Sequence, residues 1–140
     1  MTAYLAFKYG NMDDIVTVSD SVSSFASDEV VCNLQPGDTV TLYDLLCGLL
    51  LRSGNDCGVA IAEHISGSVE AFAELMNSEA KALGATGSHF VNPHGLHNEN
   101  HYTTAYDLYL IFNEAIKYDS FNEIIHMTSY QTAYYDKDGK

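Results

Sequence analysis

"LLLRSGNDCGVAIAEHI", residues Leu49–Ile65, is the stretch that decides the fold. A leucine-rich run ends at Arg52, a polar break of Ser53, Gly54 and Asn55 follows, and an alanine-rich apolar run then resumes. Glycine costs roughly 1 kcal/mol inside a helix, and serine and asparagine side chains compete there for backbone hydrogen bonds. The pattern therefore predicts two buried helices that meet at a short corner.

The periodicity outside this corner predicts a mainly α fold with minor β (α+β). Helical spacing begins at Met1 and stops at Gly10, the run Asp13–Asp20 alternates like a short strand, and Gln35–Asp38 is typical of a turn. Residues 127–140 are β-prone and then polar. Further helices are predicted after a cap at Thr39 or Thr41, from about Asp56 to Ile65, from Ser68 to Gly84, from Thr104, and from a capping box that starts at Ser120.

Size and charge exclude several classes of function. A chain of 140 residues is the length of one ordinary domain. The net charge of −13 and the total of six Lys and Arg residues exclude a nucleic-acid partner and disfavour an anionic membrane surface. No apolar run reaches the ~18 residues of a membrane span, and no basic leader precedes an apolar segment. We therefore expect neither a membrane anchor nor a secretion signal within this chain.

Three cysteines, Cys32, Cys47 and Cys57, form no Cys-x-x-Cys pattern. Their odd number permits at most one internal disulfide, and all three can be buried as small apolar side chains. Burial is the interpretation that we favour from the sequence.

Histidines cluster in the segment 88–101, which contains His89, His94, His97 and His101. Such a group could bind a metal if it folded onto one face. The Pro93-His94-Gly95 sequence and the neighbouring asparagines are typical of a loop, and no His-Glu-x-x-His pattern is present. A hydrogen-bonded loop is therefore favoured, with metal binding as the alternative.

Two patterns offer serine chemistry. Ser78-Glu79-Ala80-Lys81 places a hydroxyl one helical turn from an amine, but it lies on the polar side of its predicted helix, where lysine keeps its proton. We interpret it as a solvent-facing surface. Ser53 and Asn55 could together relay a proton and hold a peptide carbonyl, although position alone favours a capped corner.

The chain resembles the serine D-alanyl-D-alanine carboxypeptidases, the low-molecular-mass penicillin-binding proteins. The matching pieces occur in the order of that family and cover nearly all of the chain. They are "MTAYLAF", "DDIVTVS", "LYDLLCGLLLRSGNDCGVAIAEHISGSVEAFAELMNSEAKALG" and "TGSHFVNPHGLHNENHYTTAYDLYLIF".

The resemblance implies that Ser53 is a proton-relay hydroxyl and Asn55 an amide-binding group. It makes His94, Gly95 and Leu96 weaker candidates for substrate contact. It also implies serine acyl transfer without cofactor or metal, with peptidoglycan stem peptides ending in D-Ala-D-Ala as substrates and β-lactams as ligands.

The family's Ser-x-x-Lys and Lys-Thr-Gly elements are expected before Met1 and after Lys140. Residues 1–140 would then form a single partial domain, the helical lobe of the serine β-lactamase and D,D-peptidase fold, truncated at both ends. We expect this chain alone to be inactive and to self-associate through exposed apolar surface, and we expect its parent protein to be extracytoplasmic and associated with the cell envelope. A non-catalytic module that binds peptidoglycan peptides and a histidine-loop metal protein are the alternatives.

Overall fold

The computed structural model describes residues 1–140 as six α-helices and a two-stranded sheet. Their bounds are α1 (Thr2–Tyr9), β1 (Ile15–Thr17), β2 (Thr39–Thr41), α2 (Leu42–Arg52), α3 (Asn55–Ser66), α4 (Val69–Ala82), α5 (Ala105–Ala115) and α6 (Asp119–Ile125). The predicted mainly α fold with minor β is confirmed. None of these helices combines the length and the apolar character needed to cross a membrane.

Side-chain caps mark the start of three of the six helices. The Thr41 hydroxyl accepts a hydrogen bond from the Asp44 N–H at 3.1 Å, which selects Thr41 over Thr39 as the cap of α2. Ser68 caps α4 and Thr104 caps α5 in the same way. The predicted capping box at Ser120 is wrong: α6 starts at Asp119, after Tyr118, with no side-chain cap.

Helix α3 lies at the centre of the fold, in contact with α1, α2 and α4. Its apolar side chains and those of α2 form the middle of the core because both helices carry apolar residues at helical spacing. The largest fully buried apolar side chains are Leu5, Leu42, Leu45, Leu46, Ile61, Phe72 and Ile124.

The sheet is small and antiparallel, with Val16 of β1 opposite Val40 of β2. Both valines are buried, whereas their strand neighbours are more exposed, as the alternation predicts. The β-prone segment 127–140 forms no strand and contributes only one bridge, between Tyr135 and Thr39. Its other polar and aromatic side chains lie on the surface.

Helix α5 exposes apolar side chains along one side. Leu108 is 52% exposed, Tyr109 61% and Phe112 51%. Large apolar side chains in adjacent exposed positions favour association with another surface. The expected exposed apolar surface is therefore present on this helix.

Candidate active site

The corner between α2 and α3 consists of Gly54 and the two polar residues next to it in sequence, Ser53 and Asn55. Ser53 has φ 60° and ψ 34°, the left-handed conformation, in which the N–H groups of Ser53 and Gly54 both donate to the Gly48 carbonyl. This conformation is uncommon for a residue other than glycine, and strain of this kind concentrates at functional sites. The predicted corner is therefore confirmed, and the structure adds backbone strain at Ser53.

Both polar side chains of the corner are unengaged within the protein. The Ser53 hydroxyl is exposed, and the Asn55 side chain is nearly buried, with the residue only 7% exposed. Neither side chain makes a hydrogen bond to another protein group, whereas the backbone N–H of Asn55 donates to the Val30 carbonyl at 2.9 Å. A hydroxyl and an amide are thus available to a ligand.

A cavity of about 530 Å³ opens beside this corner. Its walls come from the corner, from the loop before β2, and from the loop after α4. The lining residues are Asp28, Glu29, Val30, Ser53, Asn55, Leu96 and His97.

Asp56 holds the first of these loops against α3. Its Oδ1 accepts hydrogen bonds from the N–H groups of Cys32 at 2.8 Å and Cys57 at 3.0 Å, and its Oδ2 accepts one from Leu34 at 3.0 Å. The residue is 1% exposed, so water does not compete for these oxygens. The buried carboxylate therefore fixes the chain that follows Val30 and so the part of the cavity wall that lies beside Asn55.

The loop Asn92–Leu96 forms the other wall and is closed by the Asn92 side chain. Asn92 accepts from the Gly95 N–H at 2.7 Å and donates to the Leu96 carbonyl at 2.9 Å, while Gly95 adopts φ +85°. The Thr2 hydroxyl donates to the Pro93 carbonyl at 2.6 Å. The loop is thereby fastened to α1 rather than free in solvent.

Of the three loop residues predicted to contact substrate, Leu96 shares the cavity with Ser53 and Asn55. His94 and Gly95 line a different cavity of about 680 Å³, which α1 and α5 border. Burial lowers the pKa of His94, whose ring meets Phe25 edge-on with centroids 5.5 Å apart.

His97 and Glu29 also line the cavity of Ser53 and Asn55, although sequence reasoning assigned neither of them to it. The available signal for His97 was its position next to Leu96. No sequence signal was available for Glu29, because it lies in a loop that is 24 positions before Ser53 in the chain.

The histidine loop does not gather its imidazoles around one point. The Nδ1 atoms of His89, His94 and His101 each lie within hydrogen-bond distance of a backbone group of the loop itself. The one group of three metal-ligating side chains whose ligand atoms approach within 4.8 Å of one another is Cys32, Asp56 and Cys57. Nothing in this geometry favours the histidine-loop metal alternative.

A comparison with protein families decides the relationship. The family described as D-alanyl-D-alanine carboxypeptidase matches residues 1–138. The chain belongs to the D-alanyl-D-alanine carboxypeptidase family. The resemblance inferred from the sequence is therefore confirmed.

Relatives within this family are similar over most of the chain. D-alanyl-D-alanine carboxypeptidase DacF of Bacillus subtilis is 42% identical over 109 residues, which are 78% of this chain and 28% of DacF. DacB2 of Mycobacterium tuberculosis is 36% identical over 118 residues, 81% of this chain and 40% of DacB2. The chain thus spans less than half the length of these relatives.

Solved structures agree with the fold. The Streptomyces K15 DD-transpeptidase superposes with a TM-score of 0.91 at 30% identity, covering 99% of this chain and 57% of that one. A D-alanyl-D-alanine carboxypeptidase from Mycobacterium tuberculosis superposes with a TM-score of 0.80 at 30% identity, over 88% of this chain and 46% of that one. The chain has the helical part of the D,D-peptidase fold.

Within this member of the carboxypeptidase family, Ser78 and Lys81 do not form a nucleophile and base. Both side chains are exposed on α4, and no hydrogen bond joins them. The interpretation of this pattern as a solvent-facing surface is in accord with the geometry.

Proposed function

We propose that this chain supplies the Ser-x-Asn wall of the active site of a serine-type D-Ala-D-Ala carboxypeptidase. The observation behind the proposal is that the Ser53 hydroxyl and the Asn55 amide line one cavity and make no hydrogen bond within the protein. Polar side chains that line a cavity and have no protein partner are suited to binding a substrate. Membership of the D-alanyl-D-alanine carboxypeptidase family supports peptides that end in D-Ala-D-Ala as the substrate class.

In this proposal each of the two residues has one role. The Ser53 hydroxyl relays a proton between the attacking serine, its base and the departing D-Ala amine, because a hydroxyl can accept and donate at once. The Asn55 amide binds the peptide group before the scissile bond, since it offers both a donor and an acceptor. Leu96 contacts the substrate from the loop Asn92–Leu96. His94 and Gly95 act indirectly, by setting the conformation of this loop.

The nucleophile and its base come from outside these 140 residues in this proposal, with residues 1–140 forming a partial domain. The attacking serine forms an acyl-enzyme with the penultimate D-Ala, and water then hydrolyses it. β-Lactams acylate the same serine. Because peptidoglycan lies outside the cytoplasmic membrane, the parent protein works in the cell envelope.

The first test is intact-mass spectrometry of this chain after incubation with a reactive penicillin. We expect no adduct, because removing the nucleophile of a serine catalytic group lowers the rate by about 10⁶-fold. A stoichiometric adduct that maps to Ser53 or Ser78 would contradict the assignment of roles.

The second test is a chimera in which this chain replaces the matching segment of DacF. Acylation by penicillin and release of D-Ala from a D-Ala-D-Ala peptide are measured for the chimera and for its Ser53→Ala, Asn55→Ala and Ser78→Ala variants. We expect the first two variants to lose roughly 10²-fold or more in acylation rate. The Ser78→Ala variant is the matched control and should behave as the parent chimera. Equal rates for all three variants would refute the proposal.

A further inference from the structure

Two of the three cysteines have their sulfur atoms close together near the candidate site. Cys32 lies in the loop before β2, and Cys57 lies in the first turn of α3, two residues after Asn55. Their sulfur atoms and a carboxylate oxygen of Asp56 all lie within 4.8 Å of one another. The Cys32 thiol also lies 3.8 Å from the Gly48 carbonyl, as a donor to it.

Gly48 and Gly54 have no side chain, and this allows both sulfur atoms to lie close to the backbone of the corner. A Cβ atom placed on Gly48 would lie 2.6 Å from the Cys57 Sγ and 3.1 Å from the Cys32 Sγ. A Cβ atom on Gly54 would lie 2.6 Å from the Cys32 Sγ and 3.2 Å from that of Cys57. Both sulfurs therefore lie against the same two glycines, and any larger residue at either position would displace them.

The two thiols differ in exposure and acidity. Cys32 is partly exposed, and the neighbouring Cys57 thiol lowers the pKa of the Cys32 thiol. Cys57 is buried, and the neighbouring Cys32 sulfur together with burial raises the pKa of the Cys57 thiol. Thiolate character and access favour attack by Cys32 on an external disulfide, because the thiolate is the nucleophile. Cys57 is placed to complete the exchange.

We propose that Cys32 and Cys57 are a redox pair that closes to an intramolecular disulfide. The Cys32 thiolate attacks a low-molecular-mass disulfide such as oxidised glutathione, forms a mixed disulfide and releases one glutathione thiolate. Cys57 then loses its proton and attacks the Cys32 sulfur, which releases the second glutathione thiolate. Two thiols are oxidised to one disulfide, and one glutathione disulfide is reduced to two thiols.

Asp56 favours this pairing over a metal site built from the same three side chains. Both of its oxygens already accept backbone hydrogen bonds, three in all, in a residue that is 1% exposed. A metal would have to compete with those donors for the carboxylate. A disulfide leaves them intact and adds a covalent link to the wall that they hold.

The link would act on the cavity of Ser53 and Asn55. Val30, which accepts the hydrogen bond from the Asn55 N–H, lies two residues from Cys32. Closing the disulfide adds a covalent link between this segment and α3, so that the Val30 side of the cavity is held against Asn55. The oxidised chain should exchange the Leu34 amide hydrogen more slowly than the reduced chain.

The test begins with the whole chain incubated with oxidised glutathione, then unfolded and alkylated. We expect one alkylated cysteine after oxidation and three after reduction with dithiothreitol, out of the three in the sequence. The link is mapped in the Cys47→Ala variant, because Cys32 and Cys47 share the tryptic peptide 9–52 whereas Cys57 lies in the peptide 53–81. Non-reducing digestion of that variant should join these two peptides.

Single variants test the order of attack. The Cys57→Ala variant should retain a glutathione adduct on Cys32, and the Cys32→Ala variant should acquire none at the buried Cys57. Three alkylated cysteines after oxidation would overturn the proposal, as would a cross-link that persists in the Cys32→Ala variant. If the chain bound zinc at a ratio of one ion per chain and its thiols resisted oxidation, the redox proposal would be overturned in favour of a metal site.

Discussion

The buried carboxylate of Asp56 is the most informative single position for testing how the corner is held. Replacement by asparagine keeps the size of the side chain but removes its charge and one of its two acceptor oxygens. The amide oxygen accepts the larger number of hydrogen bonds when it takes the Oδ1 position, where the N–H groups of Cys32 and Cys57 donate at 2.8 and 3.0 Å. The new NH₂ group then faces the Leu34 N–H, which donated to Oδ2 at 3.0 Å, so one donor meets another.

The magnitude follows from these bonds. A hydrogen bond to a charged group contributes about 1.5–3 kcal/mol, and a buried N–H left without an acceptor costs about 1–3 kcal/mol. The two costs overlap, so we expect Asp56→Asn to lower the free energy of unfolding by about 3 kcal/mol. With a urea m-value of about 2 kcal/mol per molar, the unfolding midpoint should fall by roughly 1.5 M.

Urea unfolding of the reduced chain, followed by circular dichroism at neutral pH, measures this change. Asp13→Asn is the matched control, because Asp13 is exposed and its carboxylate makes no hydrogen bond, and it should stay within about 0.5 kcal/mol of the parent. A loss of less than about 1 kcal/mol in Asp56→Asn would refute the view that this carboxylate holds the loop to α3.

Three other results are expected. Ser53→Gly should stabilise the chain by about 0.5–1 kcal/mol relative to Ser53→Ala, because only glycine adopts a φ of 60° without strain, and equal urea midpoints would contradict this. Burial alone raises the pKa of Glu79, but hydrogen bonds from Lys8 and Tyr9 outweigh it, so the folded pKa lies below the ordinary value. The contribution of Glu79 to stability is therefore complete above the unfolded pKa of about 4.3 and is lost as the pH falls through the folded pKa. The stability difference between the parent and Glu79→Gln should shrink below about pH 4. A difference that stays constant with pH would be inconsistent with this. Finally, the chain should self-associate through α5, and Leu108→Gln should weaken that association in light scattering, whereas a parent that stays monomeric at high concentration would argue against it.

Local sequence signals predicted most of the helices and the Ser53–Asn55 corner of the site. Thr41, Ser68 and Thr104 are short polar residues before apolar periodic runs, and each caps a helix through its own side chain within three residues. Ser120 had the same local appearance, yet Tyr118 stands at the N-cap and α6 begins at Asp119, so Ser120 lies inside the first turn. The segment around Tyr135 had β propensity, but pairing needs a partner strand, and there it meets β2 at a single bridge.

What the sequence by itself determined is the corner: the polar break between two apolar runs required a chain reversal that presents Ser53 and Asn55. Only the tertiary structure decided what faces them. Val30 and Leu96 reach the same cavity from opposite directions in the chain, and Cys32 meets Cys57 across 25 residues. The physical reason is that Asp56 and Asn92 form hydrogen bonds with backbone groups whose positions depend on packing. A residue pattern specifies such donors and acceptors, but the folded chain selects their partners.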